Sequence, residues 1–564
     1  MSELLLCTLN ARHAHASLGL RCLRANLGGL RARSRIVEFV IGARTEDMAE
    51  KLLALQPRVI GFGVYIWNVE QTTRLVELLR RVAPAVTIVL GGPEVSHETA
   101  EQPICALADH IVTGSAERAF ARLAGQLLDG PRPLMKVVPG DAPDLAALAL
   151  PYDEYSDQDL RERHLYIEAS RGCPFKCEFC LSALDKTAWP FELPRVLQAL
   201  ESLHARGARH FRFVDRTFNL KAATGAAILE FFLRHIEAEP DDPVFAHFEL
   251  VPDHLPDALR ALIVRFPKGC LQFEIGIQTW NPQIQALISR RQDNDRAADN
   301  LRWLLRETQA HLHVDLIAGL PGEDMASFGA GFDRLAALGP HEIQLGILKR
   351  LRGAPIARHT TSHDLRFNPA PPYNVLSTGA LSFAQLQRLT RFARYWDLVA
   401  NSGRFPRSLK LLLGARPFAR FMAFSDWLYA RTDATHRVAA ERLYELVHDW
   451  LSGEVGDEVG DEVGDEVAGD VAGDVADEAA VKHTPGGLEA RSAHSQRTSC
   501  ARDAIAQAIR ADYEASGAHG RPAFLMRGLS GGLQRADLPG APPRDAAIAR
   551  QTRHLQNQPR RVLP

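Results

Sequence analysis

The sequence predicts an α/β protein built from a doubly wound parallel sheet, then a partial parallel (β/α) barrel, then a helical C-terminal domain. Two successive series of short apolar runs alternate with segments of helical spacing, and strands that alternate with helices form parallel sheets. Leucine and aromatic residues at intervals of three and four over 382–450 predict the helices.

The first 140 residues carry five strand signals, separated by segments with helical spacing such as 69–82. Sheets of the doubly wound class bind ligands beyond the carboxyl ends of their strands. Small residues recur at those ends here, which would let a ligand approach the backbone. The signals lie at 4–9, 35–41, 59–66, 87–90 and 110–113.

A second series begins after 139–151, a stretch rich in proline, alanine and aspartate that predicts a linker. Six strand-helix repeats in one direction fit a partial or full parallel barrel, whose active site lies at the carboxyl ends of its strands. The strand signals are 165–169, 210–214, 244–250, 271–277, 313–317 and 342–348.

Composition divides the rest of the chain. From residue 453 the sequence repeats Gly-Asp-Glu-Val, and such acidic low complexity buries too little apolar surface to offset chain entropy, so we expect disorder there and in the arginine-rich tail. The predicted domains are 1–138 (first sheet), 139–160 (linker), 161–370 (barrel), 371–452 (helical), 453–498 (acidic), 499–527 (helical continuation) and 528–564 (tail).

Charge and cysteine usage narrow the class of protein. With 66 Lys and Arg against 68 Asp and Glu, the net charge of -2 favours neither nucleic acid nor a membrane surface as partner. No apolar run approaches the ~20 residues of a membrane span, and no signal peptide is recognisable, so we expect a cytoplasmic protein. Eight cysteines are too sparse for a secreted disulfide framework.

Three of the cysteines, Cys173, Cys177 and Cys180, follow the first strand of the second series at spacings of four and three. A loop of this kind can wrap one face of a cubane iron-sulfur cluster and leaves one iron without a protein ligand, as a catalytic metal requires. Zinc would need a fourth ligand, and His164 and His204 lie on a predicted strand and helix without paired spacing. The pattern therefore favours an iron-sulfur cluster.

The segment from Arg171 to Cys180 resembles the signature of the radical S-adenosylmethionine (radical SAM) superfamily, Cys-x-x-x-Cys-x-aromatic-Cys. The resemblance implies that the three thiolates hold a [4Fe-4S] cluster, whose open iron chelates the amino and carboxylate groups of S-adenosylmethionine. An electron from the reduced cluster then yields a 5'-deoxyadenosyl radical. The resemblance also implies an electron donor of the reduced flavodoxin or ferredoxin type.

Three later segments, 213–216, 274–278 and 315–323, match that superfamily in order and spacing. Each is weak alone, because an aspartate at a strand end or a Gly-Leu-Pro-Gly turn is common. The resemblance implies S-adenosylmethionine contacts from Asp215 (amino group), Glu274 and Gln278 (ribose and carboxylate), and Gly319, Pro321 and Gly322 (adenine).

Two turns of the first sheet, Gly91-Gly92-Pro93-Glu94 and Gly114-Ser115-Ala116-Glu117, resemble turns of the flavodoxin-like cobalamin-binding domain of the cobalamin-dependent radical SAM subfamily. Glycine lets the backbone approach a large, flat corrin. The resemblance implies cobalamin contacts from Gly91, Gly92, Gly114 and Glu117.

The motif Asp-x-His-x-x-Gly, which supplies a lower cobalt ligand in other proteins, is absent. His13 and His15 lack an aspartate two residues earlier and a glycine three residues later. We therefore expect no histidine ligand to cobalt.

The resemblance implies an enzyme that cleaves S-adenosylmethionine and, with cobalamin bound, could transfer a methyl group to a substrate. Three alternatives stay open: a vestigial cobalamin domain, an RNA-modifying methylthiotransferase with a second cluster on Cys7, Cys22 and Cys105, and a non-catalytic electron carrier. Cys22 falls inside a predicted helix, which argues against the second cluster. The helical C-terminal part resembles an uncharacterised domain that follows the barrel in some cobalamin-type radical proteins.

Overall fold

The structure, a computed structural model, describes residues 2–141, 144–185, 187–454 and 502–517. They divide into two compact units. The first holds the described residues up to Asp324 together with Gly346–Phe383, and the second holds Met325–Leu345 and the described residues from Ala384 onward. Apart from its first two residues, the predicted acidic segment 453–498 lies outside the described residues, as do the predicted tail 528–564 and both ends of 499–527.

The N-terminal sheet has six parallel strands in the order β2-β1-β3-β4-β5-β6. The first five follow the 2-1-3-4-5 order of flavodoxin-type sheets, which confirms the predicted doubly wound class. The strands are β1 (Leu4–Asn10), β2 (Ser34–Val40), β3 (Val59–Gly63), β4 (Thr87–Gly91), β5 (His110–Thr113) and β6 (Val137–Pro139), and the helices are α1 (Leu18–Ala25), α2 (Thr45–Leu53), α3 (Val69–Val82), α4 (Pro103–Leu107) and α5 (Glu117–Asp129).

Strand β1 lies in the middle of this sheet, and all seven of its residues are buried. Leu5 and Leu9 pack into the core on one face, while Leu4 and Leu6 pack into the core on the other. A strand covered by helices on both faces must be apolar throughout, which is why its sequence reads as a continuous apolar run.

The segment predicted as a linker is packed. Leu145, Tyr152 and Tyr155 are buried within it. The hydroxyl of Tyr155 donates to the backbone oxygen of Tyr166 at 3.1 Å, and Ser156 forms a capping box that starts helix α6 (Asp157–Glu162). Strand β6, which ends where this segment begins, is absent from the prediction because two of its three residues are exposed and they carry little apolar pattern.

The second sheet is also parallel, which confirms the predicted partial barrel. Its order is β14-β13-β12-β11-β10-β7, and residues of β12 alternate between buried and partly buried along its whole length. The strands are β7 (Leu165–Ile167), β10 (His210–Phe213), β11 (Phe245–Leu250), β12 (Leu271–Gln278), β13 (His311–Ala318) and β14 (Glu342–Ile347), and the helices are α7 (Leu193–Ala205), α8 (Ala222–Ala238), α9 (Asp257–Ile263), α10 (Pro282–Leu287) and α11 (Asn294–Glu307).

Two short antiparallel pairs accompany this sheet. Strands β8 (Ser170–Arg171) and β9 (Trp189–Pro190) pair around the cysteine loop, and β15 (Arg366–Phe367) pairs with β16 (Val375–Ser377).

The second unit is helical at its C-terminal part, as the sequence predicts. Aromatic side chains form its core: the ring of Phe392 lies 5.1 Å from that of Phe332 and 4.9 Å from that of Phe421. The helices are α12 (Met325–Leu338), α13 (Phe383–Val399), α14 (Ser408–Leu413), α15 (Pro417–Thr432), α16 (Ala440–Glu454) and a further helical stretch over 502–515.

Candidate functional site

A cavity of about 250 Å³ lies at the carboxyl ends of the central strands of the second sheet. All three loop cysteines, Cys173, Cys177 and Cys180, line it. Because the carboxyl ends of parallel strands meet at one edge of a sheet, side chains from several strands reach the same cavity. They include Arg216, Glu249, Glu274, Gln278 and Asp315.

The cysteine loop takes its shape from a glycine and a lysine. Gly172 has a φ of +94°, and a Cβ there would lie 2.5 Å from the backbone oxygen of Thr187, so only glycine fits this turn. Further along, the Lys176 ammonium donates to the backbone oxygens of Ala183, at 3.1 Å, and Asp185. These contacts hold the loop closed around its cysteines.

Glu178, between the second and third cysteines, anchors the loop to other parts of the chain. Its carboxylate is buried and accepts hydrogen bonds from His359 Nε2 at 2.8 Å, the Ser289 hydroxyl at 2.5 Å, and the Arg358 guanidinium. Its backbone oxygen accepts from the Ile356 N–H at 2.8 Å. Glu178 therefore points away from the cavity and leaves the cysteines on the cavity side.

The three loop cysteines are a donor set that fits an iron-sulfur cluster with one open iron. In the described ranges, no three His, Cys, Asp or Glu side chains converge closely enough to hold one metal ion. A cubane presents a separate iron to each cysteine, so its thiolates need not converge on one point. Burial raises the pKa of the Cys173 and Cys177 thiols. The guanidinium of Arg290, 3.5 Å from Cys177 Sγ, opposes this effect by favouring the thiolate.

Two of the residues predicted to contact S-adenosylmethionine, Glu274 and Gln278, line the cavity with the cysteines. Glu274 Oε2 lies 3.5 Å from His247 Nε2, and this contact lowers the pKa of the Glu274 carboxyl. Glu274 therefore presents an ionised carboxylate to the cavity at neutral pH.

The remaining predicted contacts are Asp215 and the glycine turn. Asp215 is buried and accepts hydrogen bonds from the Ser170 hydroxyl at 2.5 Å and the Ala169 N–H at 2.9 Å. Burial raises the pKa of Asp215 to about 7. Gly319, Pro321 and Gly322 form the turn after β13, and neither they nor Asp215 is among the cavity-lining residues. Their contacts with S-adenosylmethionine stay predictions.

The sequence did not single out several charged residues of the site. The Arg216 guanidinium pairs with Glu249 at 2.7 Å in the cavity wall, and burial raises the pKa of Glu249 to about 7 despite this contact. Both residues lie at or just after the end of a predicted strand, which is a usable signal. Arg290 and Glu178 carry no such signal, because their partners are distant in sequence.

The two glycine turns of the first sheet have different local structures. Gly92 has a φ of +111°, and a Cβ there would lie 2.5 Å from the backbone oxygen of Val64. Gly114 has a φ of +67° with no atom within 4 Å of such a Cβ, while at Gly91 the nearest atom is 3.6 Å away. Gly91 and Gly114 thus leave open space at the carboxyl edge of the sheet. Glu117 is buried and ion-paired with Arg171 at 2.8 Å.

Comparisons with known proteins match three segments of the chain. Residues 5–124 match the B12 binding domain, residues 167–335 match the radical SAM superfamily, and residues 361–510 match a protein of unknown function (DUF4080). The chain carries a B12 binding domain and a radical SAM domain. The resemblance seen in the sequence is confirmed, including the uncharacterised C-terminal domain.

Individual proteins show the same combination. The cobalamin-dependent radical SAM methyltransferase TokK of Streptomyces tokunonensis is 27% identical over 358 residues, which cover 54% of this chain and 49% of TokK. This chain therefore spans about half the length of TokK. The methyltransferase TsrM of Kitasatospora setae, solved with cobalamin and a [4Fe-4S] cluster, has a TM-score of 0.53 at 18% identity, covering 66% of this chain and 82% of TsrM.

The cobalamin-dependent radical enzyme OxsB, solved with aqua-cobalamin and S-adenosylmethionine, has a TM-score of 0.53 at 13% identity and covers 93% of this chain and 83% of OxsB. At these identities the two structures support the fold. A radical SAM domain implies a [4Fe-4S] cluster and S-adenosylmethionine, and a B12 binding domain supports cobalamin, so the three predicted cofactors are confirmed at the level of domain type. In the part of the chain that the structure describes, no helix is long and apolar enough to span a membrane.

Proposed function

We propose that this protein is a cobalamin-dependent radical SAM enzyme that cleaves S-adenosylmethionine reductively and transfers a methyl group to a substrate. One observation carries the proposal: the three cysteines of one loop line the same cavity as Glu274 and Gln278, at the carboxyl edge of the parallel sheet. TokK, described as a cobalamin-dependent radical SAM methyltransferase, supports the methyl transfer.

The side chains of the cavity suit S-adenosylmethionine. Cys173, Cys177 and Cys180 would hold the cluster, which when bound supplies the electron that cleaves the sulfonium to give a 5'-deoxyadenosyl radical. The ionised Glu274 can accept hydrogen bonds from ribose hydroxyls or from an ammonium group, and the Gln278 amide can donate to a carboxylate. Thus the protein binds and orients the reactants, and the cofactors supply the difficult chemistry.

The first sheet would hold cobalamin. Gly91 and Gly114 leave the backbone accessible at its carboxyl edge, where ligands of doubly wound sheets bind. When bound, cobalamin would carry the methyl group. A reduced electron donor of the flavodoxin or ferredoxin type would complete the system, because radical SAM enzymes need a reductant.

The test uses the full chain, reconstituted without oxygen with iron and sulfide and then given hydroxocobalamin, dithionite and methyl-labelled S-adenosylmethionine. We expect about four iron atoms per chain, bound cobalamin, 5'-deoxyadenosine, and label on cobalamin. The Cys177→Ala protein is the matched control and should form neither 5'-deoxyadenosine nor the cluster.

Other outcomes point to the alternatives. A full cluster without 5'-deoxyadenosine would favour the electron carrier, and failure to bind cobalamin at tens of micromolar would favour a vestigial domain. About eight iron atoms per chain would indicate a second cluster of the methylthiotransferase type. Its candidate ligands lie on three different elements: Cys7 in β1, Cys22 in α1 and Cys105 in α4.

A further inference from the structure

Both glycine turns of the first sheet end in a buried glutamate. Glu94 is 4% exposed and Glu117 is 7% exposed. A buried carboxylate is costly without a positively charged or hydrogen-bonding partner. Each of these two carboxylates finds its partners outside the first sheet, on segments that precede or follow strands of the second sheet within the same compact unit.

Glu117 meets the residue that leads into the cysteine loop. Its Oε1 accepts from Arg171 at 2.8 Å, and the same guanidinium also binds both carboxylate oxygens of Glu168, at 2.8 and 2.9 Å. Arg171 lies in β8 and is followed directly by Gly172 and Cys173. One guanidinium thus connects the turn after β5, the end of β7 and the start of the cysteine loop.

Glu94 meets the segment that follows the last strand of the second sheet. Its Oε1 accepts from Arg352 Nε at 3.0 Å and from the Tyr373 hydroxyl at 2.7 Å. The Arg352 guanidinium also lies 4.9 Å from the centre of the Tyr373 ring and donates to Glu98 at 2.9 Å. The turn that ends in Glu94 is therefore held by an arginine, as the turn that ends in Glu117 is, and by a tyrosine hydroxyl as well.

These contacts leave the glutamates poorly suited to bind a cofactor. A carboxylate that is already ion-paired and buried would have to break that pair to accept a hydrogen bond from cobalamin, and the arginine would then be left unpaired. Gly91 and Gly114 in the same turns are not committed in this way, because a Cβ on either would meet no atom closer than 3.6 Å. The two parts of each turn thus have separable roles.

We propose that Glu94 and Glu117 are positioning residues that fix the first sheet against the second, and that cobalamin is contacted by the glycines of the turns and not by these carboxylates. The geometry gives Glu117 a direct link to the cysteine loop through Arg171. The proposal rests on the proposed function only for the identity of the cofactor.

The test compares hydrogen exchange and cobalamin affinity in the full chain. Glu117→Gln should accelerate amide exchange over 165–173 by about a hundredfold, and Glu94→Gln should do the same over 350–375, because each loses a buried ion pair. The dissociation constant for hydroxocobalamin should stay within about threefold of the wild-type value, since the glycine turns are untouched. Asp141→Asn, which breaks an exposed ion pair with Arg122, should change neither quantity.

Milder variants keep the test usable if a glutamine variant does not fold. Tyr373→Phe removes one hydrogen-bond donor to Glu94 without changing the charge. Arg171→Lys keeps the charge but loses the simultaneous contact of one guanidinium with Glu117 and Glu168. Each should accelerate exchange in the same segment by a smaller factor.

A tenfold or greater loss of hydroxocobalamin affinity in either glutamine variant would overturn the proposal, as would exchange rates that do not change. Failure of the wild-type protein to bind hydroxocobalamin would instead contradict the proposed function. In that case the exchange results alone decide whether the glutamates position the two sheets.

Discussion

The carboxyl edges of the two parallel sheets differ in what they offer a ligand. The edge of the second sheet presents reactive side chains to a cavity, among them Cys173, Cys177 and Glu274. The edge of the first sheet presents glycines, and the carboxylates of its turns are paired with arginines. The edge of the second sheet can therefore bind a ligand through side chains. The edge of the first sheet can bind a ligand through the shape of its accessible backbone.

This difference explains why the two sites give sequence signals of different strength. A ligand set of thiolates needs particular residues at particular spacings, so the spacing from Cys173 to Cys180 is specific. A surface made by glycines needs only small residues at strand ends, and many unrelated sheets have them. The predictions below test whether the two edges act in these two ways.

The largest effect should follow from removing a cluster ligand. Cys177→Ala should abolish the visible iron-sulfur absorbance and nearly all bound iron, because the cluster needs all three thiolates. Cys105→Ala is the matched control: this cysteine lies in the core of the first sheet, and its loss should leave the iron content unchanged. Equal iron in the Cys177→Ala and wild-type proteins would contradict the cluster assignment.

A bulky side chain at the edge of the first sheet should block cobalamin. Gly91 ends β4 without a positive φ, and the nearest atom to a Cβ there is the Val112 oxygen at 3.6 Å, so a Cβ can be added without strain. Gly91→Phe should weaken hydroxocobalamin binding at least tenfold, as measured by equilibrium titration, while Gly91→Ala should weaken it little. The iron-sulfur spectrum of both variants should match that of the wild type, because the cysteines belong to the other sheet.

A substitution at Gly92 should act on the stability of the backbone turn and not on the ligand surface. Its φ of +111° and the 2.5 Å approach of a Cβ to the Val64 oxygen mean that alanine already disturbs the turn. Gly92→Ala should lower the free energy of unfolding by about 1–3 kcal/mol, measured by denaturant titration. A stable Gly92→Ala protein that fails to bind cobalamin would show that Gly92, like Gly91, acts at the ligand surface.

The sequence predicted the strands of both sheets well because each has a recognisable apolar pattern: β1 of the first sheet is a continuous apolar run, whereas β12 of the second sheet alternates between buried and partly buried residues. The predicted 87–90 and 244–250, for example, differ from β4 and β11 by one residue at one end. It failed at β6, a three-residue edge strand with little apolar pattern, and at the packed segment around Tyr152. Neither has a period that distinguishes it from a loop.

Within the site, spacing along the chain predicted the cysteines, but not the contacts that hold them. Glu178 and His359 are separated by 181 positions, and Cys177 and Arg290 by 113. Only the fold brings such pairs together, and no local pattern encodes them. For Asp215 the sequence predicted the position, at the end of a strand, but not the hydrogen-bond partners. Its carboxylate accepts hydrogen bonds from Ser170 and Ala169.

The smallest expected effect concerns the midpoint potential of the iron-sulfur cluster at the edge of the second sheet. The Arg290 guanidinium lies 3.5 Å from Cys177 Sγ, and a positive charge there stabilises the reduced, more negative cluster. Arg290→Gln should therefore lower the midpoint potential of the cluster, by about 30–60 mV if the contact is worth about 1 kcal/mol. Redox titration followed by electron paramagnetic resonance measures the shift.

Arg291→Gln is the matched control for this prediction. Arg291 lines the same cavity, so its replacement removes one positive charge at a similar place. If the hydrogen bond to sulfur matters more than the general field of the cavity, the Arg291→Gln shift should be less than half of the Arg290→Gln shift. Equal shifts would show that the cavity acts on the cluster through its total charge, and a rise in potential at Arg290→Gln would contradict the assigned contact altogether.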